Sequence, residues 1–107
     1  MGLFRVLVAV SSSAQRLEGS GDIAVLFTDH SVIFRKTPTE VTCENMAGNL
    51  YNGSLESAVG AVLDNTHIVA IAALSDRVIA YLKSIGTFYV KKDRPYYRND
   101  DREFAVL

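Results

Sequence analysis

The chain has 107 residues, and its 11 basic and 12 acidic side chains leave a formal net charge of −1. That balance supplies no global basic field to gather nucleic acid, which is therefore not an expected partner, and a chain of this length forms one domain that buries about two-thirds of its unfolded surface. A single cysteine, Cys43, excludes an intrachain disulfide and any two-cysteine metal motif, and no apolar run approaches the roughly 18 residues of a membrane span.

In chain order, Phe4-Arg5-Val6-Leu7-Val8-Ala9-Val10 is nearly continuously apolar and predicts a central opening strand. Because Met1–Arg5 runs straight into that pattern with no apolar leader, and because cysteine is scarce, a cytoplasmic, reducing setting is expected. Ser11 to Gly21 reads as the loop after the strand. Ile23–Phe27 and Ser31–Arg35 then predict two strands of a β-hairpin around Thr28-Asp29-His30, with Pro38 ending the second. Between Thr39 and Gly53 the signals conflict: Val41-Thr42-Cys43 suits a strand, whereas Asn45, Gly48, Asn49, Asn52 and Gly53 favour an irregular loop, and a loop is assigned.

The stretch from Ser54 to Val90 is the clearest. Leu55, Ala58, Val59, Val62 and Leu63 form one apolar stripe of a helix over about 55–64, with Ser54 as N-cap and Asn65 as its stop. His67–Ala72 is short, β-branched and apolar on both faces, a buried strand. Ser75 caps a second helix with Val78, Ile79 and Leu82 inward, Gly86 stands where a left-handed residue would end it, and Thr87–Val90 is another strand. A βαβ crossover of this length makes the strands near 68 and 88 parallel neighbours. Residues 1–90 thus read as a single α/β domain with a mixed five-stranded sheet, and 91–107 as a C-terminal tail, partly ordered because Phe104-Ala105-Val106-Leu107 is apolar and suited to docking on its own domain or on a partner subunit as an added strand, so that self-association into a homo-oligomer is expected.

Few residues carry chemistry. Ser11, Ser12 and Ser13 would lie at the C-terminal end of the opening strand and Ser75 at the end of a parallel neighbour, where open α/β sheets bind ligands, so these four are the candidate ligand-binding residues for a small anion. Gly19-Ser20-Gly21 lacks the lysine and hydroxyl of a phosphate loop and precedes a strand. His30, His67 and Cys43 share no metal-ligand spacing, no cofactor motif is present, and no catalytic residue is assigned. Residues 91–103 mix Lys91, Lys92, Arg94, Arg98 and Arg102 with Tyr96 and Tyr97, as single-strand-binding surfaces do, but Asp93, Asp100, Asp101 and Glu103 nearly cancel the charge.

The order strand, hairpin, helix, strand, helix, strand resembles the dinitrogenase iron-molybdenum cofactor biosynthesis family. The residues that carry it are Val6–Ser11, Ile23–Phe27, and Ile68 through Ala80-Tyr81-Leu82-Lys83-Ser84-Ile85-Gly86 into Phe88. The resemblance implies a ribonuclease H-like fold and a non-catalytic carrier of a small ligand or metal cluster. Two departures imply an altered pocket: Gly19-Ser20-Gly21-Asp22 has no histidine where the family keeps a Gly-His-Phe-Gly-like segment, and Ala72-Ala73-Leu74-Ser75 lacks its glycines. The opening strand also has no carboxylate for a two-metal nuclease. A non-enzymatic binding or carrier protein is the leading expectation. The alternatives are a homo-oligomeric interaction module using tail and sheet edge, and a small nucleotide- or anion-binding enzyme domain.

Overall fold

The computed structural model describes residues 3–46 and 54–107. The elements in order are α1 (Leu3–Ala14), β1 (Gly21–Leu26), β2 (Ser31–Lys36), β3 (Val41–Met46), α2 (Leu55–Asp64), β4 (Ile68–Ala73), α3 (Asp76–Ile85), β5 (Thr87–Lys91), β6 (Arg94–Asn99) and β7 (Arg102–Val106). The strands form one mixed sheet in the order β3-β2-β1-β4-β7-β6-β5. In place of five strands there are seven among the described residues. β4 is parallel to both β1 and β7, and every other neighbouring pair is antiparallel.

The opening segment is a helix, not a strand. Val6, Val10 and Ala14, spaced by four, are 8%, 2% and 0% exposed, whereas Phe4 and Val8 face outward at 73% and 56%. One stripe is therefore buried, as on a surface helix, and not two faces as in a central strand. Without glycine or proline to stop it, the helix runs on through Ser11-Ser12-Ser13, which become its last turn. Length separates the two cases, since twelve residues suit three helical turns better than a strand.

The β1–β2 hairpin forms as its alternation implies, pairing Ile23 with Phe34 and Val25 with Val32. The assignment of 39–53 as loop is corrected over Val41–Met46, which is β3. There Thr37 and Glu40 close the turn around Pro38, with the Thr37 N–H donating to the Glu40 carbonyl at 2.8 Å and the Glu40 N–H to Thr37 Oγ1 at 3.2 Å. Proline ends β2 by starting a turn, and the chain pairs straight back. The rest of that assignment, 47–53, lies outside the described residues.

Both inner helices begin as capping chemistry dictates. Ser54 Oγ accepts from the Ser57 N–H at 3.1 Å, and Ser75 Oγ from the Val78 N–H at 3.2 Å. The end of α3 differs from expectation: Gly86 has extended backbone, φ −153°. Glycine is needed there for space, since a Cβ built on Gly86 falls on the Tyr97 ring. β4 and β5 are not neighbours either, because β7 and β6 stand between them.

Residues 94–106 explain that displacement. β7 outcompetes β5 for the position beside β4 because it buries a side chain on each face: Phe104 is 0% exposed among α2 and α3 residues, and Ala105 is 3% exposed on the α1 side. The Leu107 N–H continues the ladder to the Ile71 carbonyl at 2.8 Å. The sheet is thus the middle of three layers. Leu55, Val59, Val62, Val78 and Leu82 of α2 and α3 cover one face, and Val6, Val10 and Ala14 of α1 cover part of the other. Burying a side chain such as Val78 or Leu82, both at 0% exposure, contributes about 1.5–3 kcal/mol each.

Candidate ligand site on the open face of the sheet

On the α1 side, the buried cluster draws on β1, β2 and β4 but on β7 only through Ala105, with Tyr96 of β6 half-buried at its margin. Strand alternation and the register of β5, β6 and β7 then set Tyr89, Lys91, Arg94, Tyr96, Arg98 and Glu103 on this same face. A cleft of about 390 Å³ opens between that surface and the segment after α1, lined by Arg16, Glu18, Lys91, Lys92, Arg94 and Tyr96 among others. Four of its side chains are cationic, against the carboxylates Glu18 and Glu103.

Glu103 is already engaged. It accepts from Lys91 Nζ at 3.4 Å and from Arg98 Nη2 at 3.3 Å. Among the described residues Arg16, Lys92 and Arg94 make no ion pair. Arg94 is held in place by Nη2, which donates to the Arg16 carbonyl at 3.1 Å, while its Nη1 is covered and has no hydrogen-bond partner among the described residues. Tyr89 Oη, on the same face, is a second covered group without a partner. A covered donor left unpaired costs about 1–3 kcal/mol, and more for a charged group, so such atoms mark places where an acceptor is wanted.

The aromatic and cationic groups form layers. Tyr89 and Tyr96 stack with centroids 5.7 Å apart and planes 18° from parallel. Arg98 lies over the Tyr89 ring at 5.6 Å and Lys91 over Tyr96 at 5.5 Å. Such contacts are worth about 0.5–1 kcal/mol at exposed sites. The tight turn joining β5 to β6 is Lys92-Asp93, both with positive φ (53° and 63°), which carries the Lys92 side chain to the rim of the cleft.

The four serines expected to bind an anion are not brought together. Ser11 and Ser12 line a shallow, open depression with Leu7, Val8 and Val41, at the β3 side of the sheet. Ser13 borders a smaller recess with Arg16, Arg94 and Leu107, next to the cationic cleft. Ser75 belongs to the other layer, where its hydroxyl is used as the cap of α3. The premise that placed them at one strand end fails because Ser11–Ser13 follow no strand. The Gly19-Ser20-Gly21 segment presents a carbonyl in place of an anion-binding N–H: buried Lys36 donates from Nζ to the Gly19 oxygen at 2.7 Å.

The metal and nucleophile candidates stay apart. Cys43 is exposed on β3. His30 stacks on Phe27 at 4.4 Å and hydrogen-bonds Asp29 at 2.7 Å, which holds the Asp29 carboxyl below its ordinary range, and His67 is exposed at the start of β4. Among the described residues no group of three or more histidines, cysteines or carboxylates is placed to hold a metal ion, and no helix is long and apolar enough to cross a membrane. Summing the charge of 91–103 hides the cleft, because the fold sends Asp93, Asp100 and Asp101 to turns while Lys91, Arg94 and Arg98 share one face. The signal lies in the spacing of Arg94, Tyr96 and Arg98 at i, i+2 and i+4. Comparison with protein-family models, with characterised proteins and with solved structures finds no match.

Proposed function

We propose that this protein is a non-enzymatic binding protein that takes an anionic ligand in the cleft between the segment after α1 and the open face of β5–β7. One observation carries it: Arg94 is fixed through one guanidinium nitrogen to the Arg16 carbonyl, while the other nitrogen is covered and unpartnered among Arg16, Lys91 and Lys92. A fixed guanidinium with a free donor recognises a carboxylate or phosphoryl oxygen with little ordering cost. Among the described residues no serine, threonine, cysteine or histidine lines the cleft, and of its two carboxylates Glu103 is already held by Lys91 and Arg98, which favours binding over catalysis. Carriage of a small ligand accords with the resemblance to the iron-molybdenum cofactor biosynthesis family. Of the segments behind that resemblance, Ile23–Phe27 and Ile68–Phe88 take the expected elements and Val6–Ser11 does not. The ribonuclease H-like assignment is kept on the β1–β2 hairpin beside parallel β4.

Calorimetric titration with pyrophosphate, a compact phosphoryl anion, tests the site. Binding to the intact protein that weakens at least tenfold in Arg94→Gln supports it. Absence of binding, or binding indifferent to Arg94, rejects it.

A second function, self-association, is favoured by one observation. Phe4 and Val8, one helical turn apart on α1, are 73% and 56% exposed. Sedimentation of the protein and of Phe4→Glu decides it: a dimer abolished by the charge supports assembly through α1, and a monomer at all concentrations ends it.

A further inference from the structure

We infer that the ligand of this face is a segment of single-stranded nucleic acid; the inference rests on the cleft being an anion site. β6 reads Arg94-Pro95-Tyr96-Tyr97-Arg98, and alternation puts Arg94, Tyr96 and Arg98 on the open face while Tyr97 is buried on the other. Arg94 and Arg98, four residues apart on an extended strand, are separated by about 13 Å at ~3.3 Å per residue. Side chains rooted that far apart suit successive phosphates joined through uncharged groups better than a single one, and the group between the two arginines is an aromatic ring.

The neighbouring strand repeats part of the arrangement. β5 brings Tyr89 beside Tyr96 and Lys91 opposite Arg94, with Thr87 opposite Arg98, so three cations surround a pair of stacked rings. Arg98 and Lys91 now lie over those rings, with exposed side chains (57% and 52%) and, among the described residues, only the shared Glu103 as ion-pair partner. Moving either cation onto a phosphate oxygen uncovers a ring face for a base. Tyr89 Oη and Arg94 Nη1, covered and without partners among the described residues, become two more donors along the same track once their side chains shift toward a ligand.

An open sheet face with interleaved rings and cations suits unstacked bases, whose faces are free, and not a duplex, whose base faces are covered. The net charge of −1 does not oppose this, because the fold sorts the charges: Asp93, Asp100 and Asp101 sit in turns, whereas Arg16, Lys92 and Arg94 line the cleft without ion pairs among the described residues.

Fluorescence anisotropy of a labelled thymidine oligonucleotide of about 12 nucleotides, within the site sizes of single-strand surfaces, tests this. Saturable binding is expected, at least tenfold tighter than to a duplex of equal length. If three phosphates are contacted, the logarithm of the binding constant should fall with the logarithm of salt concentration with a slope of about −2. Arg98→Gln should weaken oligonucleotide binding at least fivefold. Pyrophosphate binding that depends on Arg94, without tighter binding of the oligonucleotide, overturns the inference and leaves the anion site standing. Equal affinity for duplex, or indifference to Arg98, also overturns it. If neither pyrophosphate nor oligonucleotide binds, both proposals fall.

Discussion

Replacing Gly86 by alanine is expected to destabilise the protein, although the same change at an unstrained, extended position elsewhere would stabilise by about 0.4–1 kcal/mol through the unfolded chain. Gly86 has φ −153°, so alanine meets no backbone penalty. What it meets is Tyr97, whose ring would be overlapped by the new methyl. Tyr97 is 0% exposed and lies between Phe88, at 5.2 Å, and Phe104, at 6.1 Å, so the ring moves only by displacing both neighbours. Overpacking of this kind costs typically 1–3 kcal/mol, which leaves a net loss of about 1–2 kcal/mol after the chain-entropy gain. For a chain near 100 residues that is a fall in Tm on the order of 10 °C. Urea unfolding of Gly86→Ala in three backgrounds isolates the cause: wild type, Tyr97→Phe and Tyr97→Leu. The loss should persist in Tyr97→Phe, which keeps the ring, and vanish or reverse in Tyr97→Leu, which removes it. A neutral or stabilising Gly86→Ala, or an equal loss in the Tyr97→Leu background, would refute the reasoning.

Arg102 donates from Nη1 to the Leu63 carbonyl at 2.6 Å and from Nη2 to the Ile68 carbonyl at 2.9 Å, joining β7 to the end of α2 and the start of β4. Since each charged hydrogen bond is worth about 1.5–3 kcal/mol, Arg102→Met, which removes two, should cost at least about 3 kcal/mol in urea unfolding, and Arg102→Lys, which cannot form the fork, should recover less than half of that. Asp93 has φ 63° in the Lys92-Asp93 turn; left-handed backbone costs a non-glycine residue about 1–2 kcal/mol, so Asp93→Gly should raise stability, and an unchanged or lower Tm would count against the turn geometry. Burial raises the phenol pKa of Tyr97 above its ordinary 10.0, with smaller contributions from Tyr81 and Asp100. A raised folded-state value means that stability is complete below the unfolded value and is lost as pH rises above about 10; Tyr97→Phe should flatten that alkaline decline relative to the wild type. The His30 hydrogen bond lowers the exposed Asp29 carboxyl, so its NMR titration should lie below the ordinary 3.8 and return toward it in His30→Ala.

Periodicity and capping make the middle of the chain legible. Leu55–Asp64 forms over the span its stripe implies, and Ser54 and Ser75 cap as their side chains dictate. The first dozen residues mislead because Val and Leu dominate both stripes of α1, and only packing shows that Phe4 and Val8 are outside. The last three strands are obscured by their turns. Lys92-Asp93 and Asp100-Asp101 contain no glycine, asparagine or proline, and Asp93 and Asp100, which tolerate the positive φ they adopt, are a weak mark among so many charged residues, while Lys92 takes positive φ with no mark at all. The candidate site is hidden by the same segment. Its cations are visible in the sequence only as a mixture with acids, and their separation onto one face follows from a strand alternation that the weakly marked turns conceal. The part played by Arg16 cannot be read locally at all, since it meets Arg94 from 78 positions away.

The most direct test of the anion site is a map of backbone amide shifts on adding pyrophosphate to the intact protein. Shifts should concentrate at Arg16–Glu18, Lys91–Tyr96 and Glu103–Ala105, which surround the cleft. Shifts centred instead on Ser11, Ser12 and Ser75, or no shifts anywhere, would contradict it.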